Sequence, residues 1–139
     1  MTPIDTRLKL SALWLFILLN IIFRDIHQYA LKSHLEMLLT GTYNGVVVTE
    51  GLMLFGGVLV EIPIAMVLFS VLLTRRITRP MTFVAALLTT ATLLATKPSD
   101  MDDVFFLVIE LAAMLAIVWT AWKWQASDQK ASSATLATQ

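Results

Sequence analysis

The residues in this chain that could do chemistry stand inside stretches built of Leu, Ile, Val, Phe, Met and Ala. They are Asn20, Arg24, Asp25, Glu50, Glu61 and Glu110. An ionisable group at the centre of a membrane-crossing helix costs at least about 2.5–3.5 kcal/mol, so it must face protein or water and is a functional candidate by default. Helical geometry, at about 100° and 1.5 Å per residue, shows which of these groups share a face. Glu50 and Glu61 fall within about 20° of each other and about 16 Å apart along the axis. Gly57 lies between them, where the missing side chain would let a neighbour approach. Asp103, Phe106, Glu110, Ile117 and Ala121 define a second face, with Glu110 about 10 Å from Asp103. Asn20, Arg24 and His27 share a third, with Asp25 set to one side.

Carboxylates held away from water can bind a cation, carry a proton or act as a general acid or base. Glu61, Glu110, Glu50 and Asp25, together with Asn20, are therefore the candidate ligand-binding or proton-carrying residues. Arg24 is expected to form a structural ion pair with Glu50 or Asp25, because an unpaired charge at that depth is costly. Glu61 and Glu110 also admit a structural reading, as carboxyls hydrogen-bonded to a backbone carbonyl freed near Pro63. His27 reads as an interfacial histidine bonded to a carbonyl. His27, His34, Glu50 and Glu110 are all competent metal ligands, but no Glu-x-x-His or His-x-x-x-His spacing groups them, and neither metal nor cofactor is expected. The absence of cysteine excludes thiolate chemistry, iron–sulfur clusters and cysteine-ligated zinc. No serine stands in a nucleophile elbow and no glycine-rich loop could cradle phosphate.

The elements that position these groups follow from composition. Of 139 residues, 58% are hydrophobic and 14% charged, against about 45–50% and about 25% for a soluble domain. Mean hydropathy is +0.77. Such a chain cannot cover itself with a water-facing surface, and its ten basic and ten acidic residues leave no field for nucleic acid. Spans are predicted at about 8–27, 46–73, 81–96 and 104–124, giving one membrane domain over 1–124 and a disordered polar tail over 125–139. Pro80 and Pro98 are expected to bound the third span. Ser99, Asp100 and Asp102 are expected to cap the fourth. Arg24-Asp25 stands where a signal-peptide cleavage site would lie, so the first span is expected to stay. Leu31, Leu35, Leu38 and Leu39 predict a short amphipathic helix on the outer surface, followed by a turn at Asn44-Gly45. Thr82, Ala85, Thr89, Thr92 and Thr96 form a small, mildly polar stripe suited to close helix packing. Arg7, Lys9, Arg75, Arg76, Arg79, Lys123 and Lys130 on one side, against Arg24, Lys32 and Lys97 on the other, place both termini in the cytoplasm. Trp119, Trp122 and Trp124 suit an aromatic belt at that inner surface.

Five stretches also carry a resemblance: Leu10-Ser-Ala-Leu-Trp-Leu-Phe16, Asn20 through Asp25, Thr40-Gly-Thr-Tyr-Asn-Gly45, Glu61-Ile-Pro-Ile-Ala-Met66, and Ile109-Glu110 leading to Ile117-Val-Trp-Thr-Ala-Trp-Lys-Trp124. With these the chain resembles an uncharacterised family of small bacterial four-span membrane proteins. Gly57-Val-Leu-Val-Glu-Ile-Pro63 and the basic turn at Arg75–Arg79 more distantly resemble DoxX-like proteins, which implies a quinone-linked redox subunit. Asp25 with Glu61-x-Pro63 is similar in arrangement to the sterol-isomerase and sigma-2-receptor type of bundle, a parallel of arrangement alone.

The expected fold is all-α: an integral membrane, four-helix antiparallel transmembrane bundle with a short amphipathic helix between spans one and two. The leading expectation is binding or transport of a hydrophobic or amphipathic small molecule, cationic in one version, in an outer-leaflet cavity where Glu61 and Glu110 meet. A transport pathway would call for a homo-oligomer. An enzyme using the same carboxylates as general acid and base, and a structural subunit of a membrane complex, are the alternatives. The expected location is the bacterial cytoplasmic membrane.

Overall fold

A computed structural model describes residues 5–43, 45–96, 98 and 101–136, with the backbone alone described for Tyr43 and for 125–136. The chain forms α1 (Thr6–Gln28), α2 (Lys32–Leu39), β1 (Thr42–Tyr43), β2 (Val46–Val47), α3 (Glu50–Leu72), α4 (Arg75–Ala95) and α5 (Met101–Leu136). Four of the helices, α1, α3, α4 and α5, are long and apolar enough to cross a membrane, which makes this an integral membrane protein. In lipid an α-helix satisfies its own backbone polar groups, so such segments have little choice of conformation.

The element boundaries depart from the sequence reading in three places. Val46 and Val47 belong to a short antiparallel ladder with Thr42 and Tyr43 rather than to the second span. Gly41 and Gly45 make the turns with positive φ of 71° and 79°, while Asn44 lies outside the described residues. α3 then begins at Glu50, capped by Thr49, whose hydroxyl accepts from the Leu52 amide at 3.2 Å. The third span starts at Arg75, with Pro80 inside it. Pro80 is the sixth residue of that helix, so the bond its amide would have made to the Arg76 carbonyl is lost, and the rest of the ladder continues past it. Finally, α5 runs on to Leu136, where a disordered tail was predicted. Residues 125–136 contain neither Gly nor Pro and include the strong helix formers Ala, Gln and Lys. The proposed capping residues Ser99 and Asp100 lie outside the described residues.

α1 packs against α3 and α5, and α4 packs against the same two helices. Each helix contributes a stripe at three- and four-residue spacing: Leu10, Trp14 and Ile17 from α1, Pro63, Met66 and Ser70 from α3, and Ala113, Met114, Ile117 and Ala121 from α5. The α4 stripe is small-sided, with Thr78, Thr82, Ala85, Ala86, Thr89 and Leu93 buried. Small residues let helix backbones approach in a medium where apolar burial alone gives no drive to associate. Thr92 and Thr96, also assigned to that stripe, are half-buried and bond back to their own helix. One cross-helix bond ties α1 to α3, from the Ser11 hydroxyl to the Val67 carbonyl at 2.8 Å. Another ties α4 to α5, where Arg79 Nε donates to the Ala121 carbonyl at 3.3 Å and its guanidinium lies over Phe83. Trp119 and Trp122 point outward while Trp124 is buried, and Lys123 lies over Trp119. α2 is present where expected, rests on β1, and buries none of its residues.

Candidate functional site

The C-terminal end of α1 meets the N-terminal end of α5, and three polar contacts cross that seam. Gln28 Nε2 donates to Asp103 Oδ1 at 2.8 Å. His27 Nε2 and Asp102 Oδ2 lie 3.1 Å apart and are exposed. Deeper along the seam, Arg24 Nη1 bonds Glu110 Oε2 at 2.8 Å, with 10% of the Arg24 side chain and none of Glu110 exposed. Phe106 stands between these layers, with ring centres 6.2 Å from Phe23, 6.4 Å from His27 and 5.6 Å from Phe105. The seam thus grades from hydrated contacts at its end to one dry ion pair within.

Glu110 is the partner of Arg24, which corrects the expected pairing with Glu50 or Asp25. The reason is depth and direction. Helical side chains lean toward their own N-terminus, so the long Arg24 side chain reaches along α1, away from Gln28, toward the level of Glu110. Glu50 is the first residue of α3 and is exposed. There its charge suits the positive helix end. Asp25 follows Arg24 in sequence, so it points about 100° away, and it too is exposed.

Glu61 is likewise placed differently from the expectation. It is exposed, on the side of α3 opposite the buried Pro63, Met66 and Ser70. Glu110 is sealed on the inside, so the two carboxylates do not line one cavity. A side chain added at Gly57 would meet nothing within 4 Å, so the close approach assigned to that glycine is not made within this chain. Asn20 is half-buried and its amide donates to the Phe16 carbonyl of the preceding turn at 2.8 Å.

Three buried polar atoms have no hydrogen-bond partner among the described residues: Glu110 Oε1, Trp14 Nε1 and Thr89 Oγ1. An unpartnered buried polar group ordinarily costs about 1–3 kcal/mol, more when charged. Glu110 is therefore half-satisfied: one oxygen is held by Arg24 and the other has no donor. No group of three His, Asp or Glu among the described residues is placed to hold a metal ion. Sequence reasoning missed Gln28 as a member of this seam and gave Asp102 only a capping role. The available signal was register, since the end of one span and the start of the last must lie at the same depth.

Residues 4–132 match DUF6326, a family of unknown function. The chain belongs to that family. This agrees with the resemblance to an uncharacterised family carried by the stretches from Leu10 to Trp124. No curated protein and no solved structure matches the chain. The α1–α5 seam is accordingly read from its own chemistry.

Proposed function

We propose that this protein is an antiparallel four-helix membrane bundle that binds an amphipathic small molecule carrying a cationic hydrogen-bond donor, with Glu110 as the recognising group. The observation that carries the reading is Glu110 Oε1, buried and without a donor beside the Arg24–Oε2 bond. A protonated amine would supply the missing donor, and its apolar tail would lie along the outward-facing Phe23 and Phe105. Entry would require Phe106 to swing aside. Asp25, Asp102 and Asp103, the other acids near the end of the seam, would draw the cation toward it. In this proposal Glu61 and Glu50 take no part in the site. In this reading the seam lies in the outer leaflet of a bacterial cytoplasmic membrane with both termini inside, an orientation that the distribution of basic residues supports.

Dodecylammonium is a suitable probe, with dodecyltrimethylammonium as a cation of the same tail that lacks an N–H donor. Titrated into the purified protein in a neutral detergent, dodecylammonium should bind the more tightly. Glu110→Gln should weaken it roughly tenfold or more, the fold-change expected for losing a charge-assisted hydrogen bond. Equal binding of the two cations, or no response to Glu110→Gln, would contradict the assignment.

A further inference from the structure

A second feature lies away from the seam, between α3 and α4. There the two helices flank an open groove of about 620 Å³. Ile62, Ala65 and Phe69 line one wall, at the three- and four-residue spacing of a single helix face, and Val84 and Leu88 line the other. One charged side chain lines the groove, Arg76, at the end where α4 begins. Arg76 is exposed and has no hydrogen bond or ion pair among the described residues. Arg79, one turn on, is already committed to the Ala121 carbonyl and the Phe83 ring.

We propose that this groove holds an acyl chain of an anionic phospholipid whose phosphate is bound by Arg76. Length supports the fit: Arg76 to Leu88 spans about 18 Å of helix, against about 15 Å for one leaflet of the hydrocarbon core. Charge complementarity supports the headgroup. A guanidinium donates two parallel hydrogen bonds to phosphate, and Arg75 and Arg79 make the surrounding turn basic, which favours a net negative headgroup over a zwitterionic one. The apolar walls favour a lipid over a soluble anion, since free phosphate would gain nothing from them. The groove is open, and Val84 and Leu88 on its wall are exposed, as a lipid entering from the bilayer requires.

The test uses the full chain, purified in detergent and titrated separately with dioleoyl phosphatidylglycerol and dioleoyl phosphatidylcholine, with bound lipid counted by native mass spectrometry. The anionic lipid should bind about fivefold more tightly, the ratio corresponding to about 1 kcal/mol per basic residue at an anionic surface. Arg76→Gln should abolish that preference and leave the weaker phosphatidylcholine binding in place. Ala65→Trp, which fills the groove, should weaken both lipids, and Leu88→Trp on the exposed wall repeats the test should Ala65→Trp misfold. Inorganic phosphate should produce no Arg76-dependent thermal stabilisation. A preference that survives Arg76→Gln, lipid binding indifferent to both groove-filling substitutions, or a phosphate effect equal to that of the lipid would overturn the proposal. So would disulfide-linked dimers of Val84→Cys in native membranes, which would mean that a second copy of the chain covers the groove.

Discussion

Glu110 on α5 and Glu61 on α3 are the same residue type, each well inside a helix of nearly equal hydropathy, yet the fold treats them in opposite ways. The membrane-crossing part of α5 has a hydropathy of 2.4 and α3 one of 2.3. Glu110 is buried and bonded to Arg24 at 2.8 Å, while Glu61 is exposed on a helix that buries only Pro63, Met66 and Ser70. Hydropathy therefore does not decide which intramembrane carboxylate belongs to a site. A partner of opposite charge at the same depth on the neighbouring helix does, and α1 supplies one to α5 but none to α3.

The comparison is sharpest in stability. Arg24→Leu should leave Glu110 buried without its counter-charge and cost about 3–5 kcal/mol, whereas Glu61→Gln breaks no contact among the described residues and should cause no loss of stability. Thermal unfolding of the two variants in one detergent measures both, and equal losses would break the distinction. The two helices should also differ in apolar packing. Trp14→Ala, on the α1 stripe that α3 and α5 enclose, should cost about 3–5 kcal/mol. Phe55→Ala, on the outward side of α3 with 60% exposure, should cost far less, and matched melting curves would show it.

Along the seam the effect should fall toward its hydrated end. Gln28→Ala removes one partly buried bond to Asp103 and should cost about 1 kcal/mol. Asp102→Asn touches only the exposed contact with His27, so its effect should lie within about 1 kcal/mol and shrink as salt is added. Unfolding at low and high ionic strength separates these two cases. A salt-insensitive loss in Asp102→Asn would place that contact in the dry part of the seam.

The four spans were legible because about 20 apolar residues in a row have few other fates. The face of α5 holding Asp103, Phe106, Glu110, Ile117 and Ala121 was legible too, since helical spacing alone assembles it. The face of α3 was not. Nearly every residue there is apolar, so the chain carries no contrast between a side that meets protein and a side that meets lipid, and Glu50 with Glu61 marks the outer face rather than the inner. The partner of Arg24 was missed for a related reason. Spacing within a helix is fixed by geometry, but the offset between helices depends on the loops and on the lean of a long side chain. α5 continued past Trp124 because polar composition does not oppose a helix when Gly and Pro are absent.

A double-mutant cycle across Arg24 and Glu110 tests the seam most directly. Thermal stability is measured for the parent, Arg24→Leu, Glu110→Leu and the double variant. If the buried pair holds α1 to α5, each single substitution leaves a charge stranded, and the double variant should recover a large part of the loss, since an apolar replacement of both members of a buried pair is often neutral. The coupling should then lie well above the roughly 0.3–0.5 kcal/mol scatter of independent sites. Losses that simply add would mean that Arg24 and Glu110 act separately, and the site at Glu110 would lose its foundation.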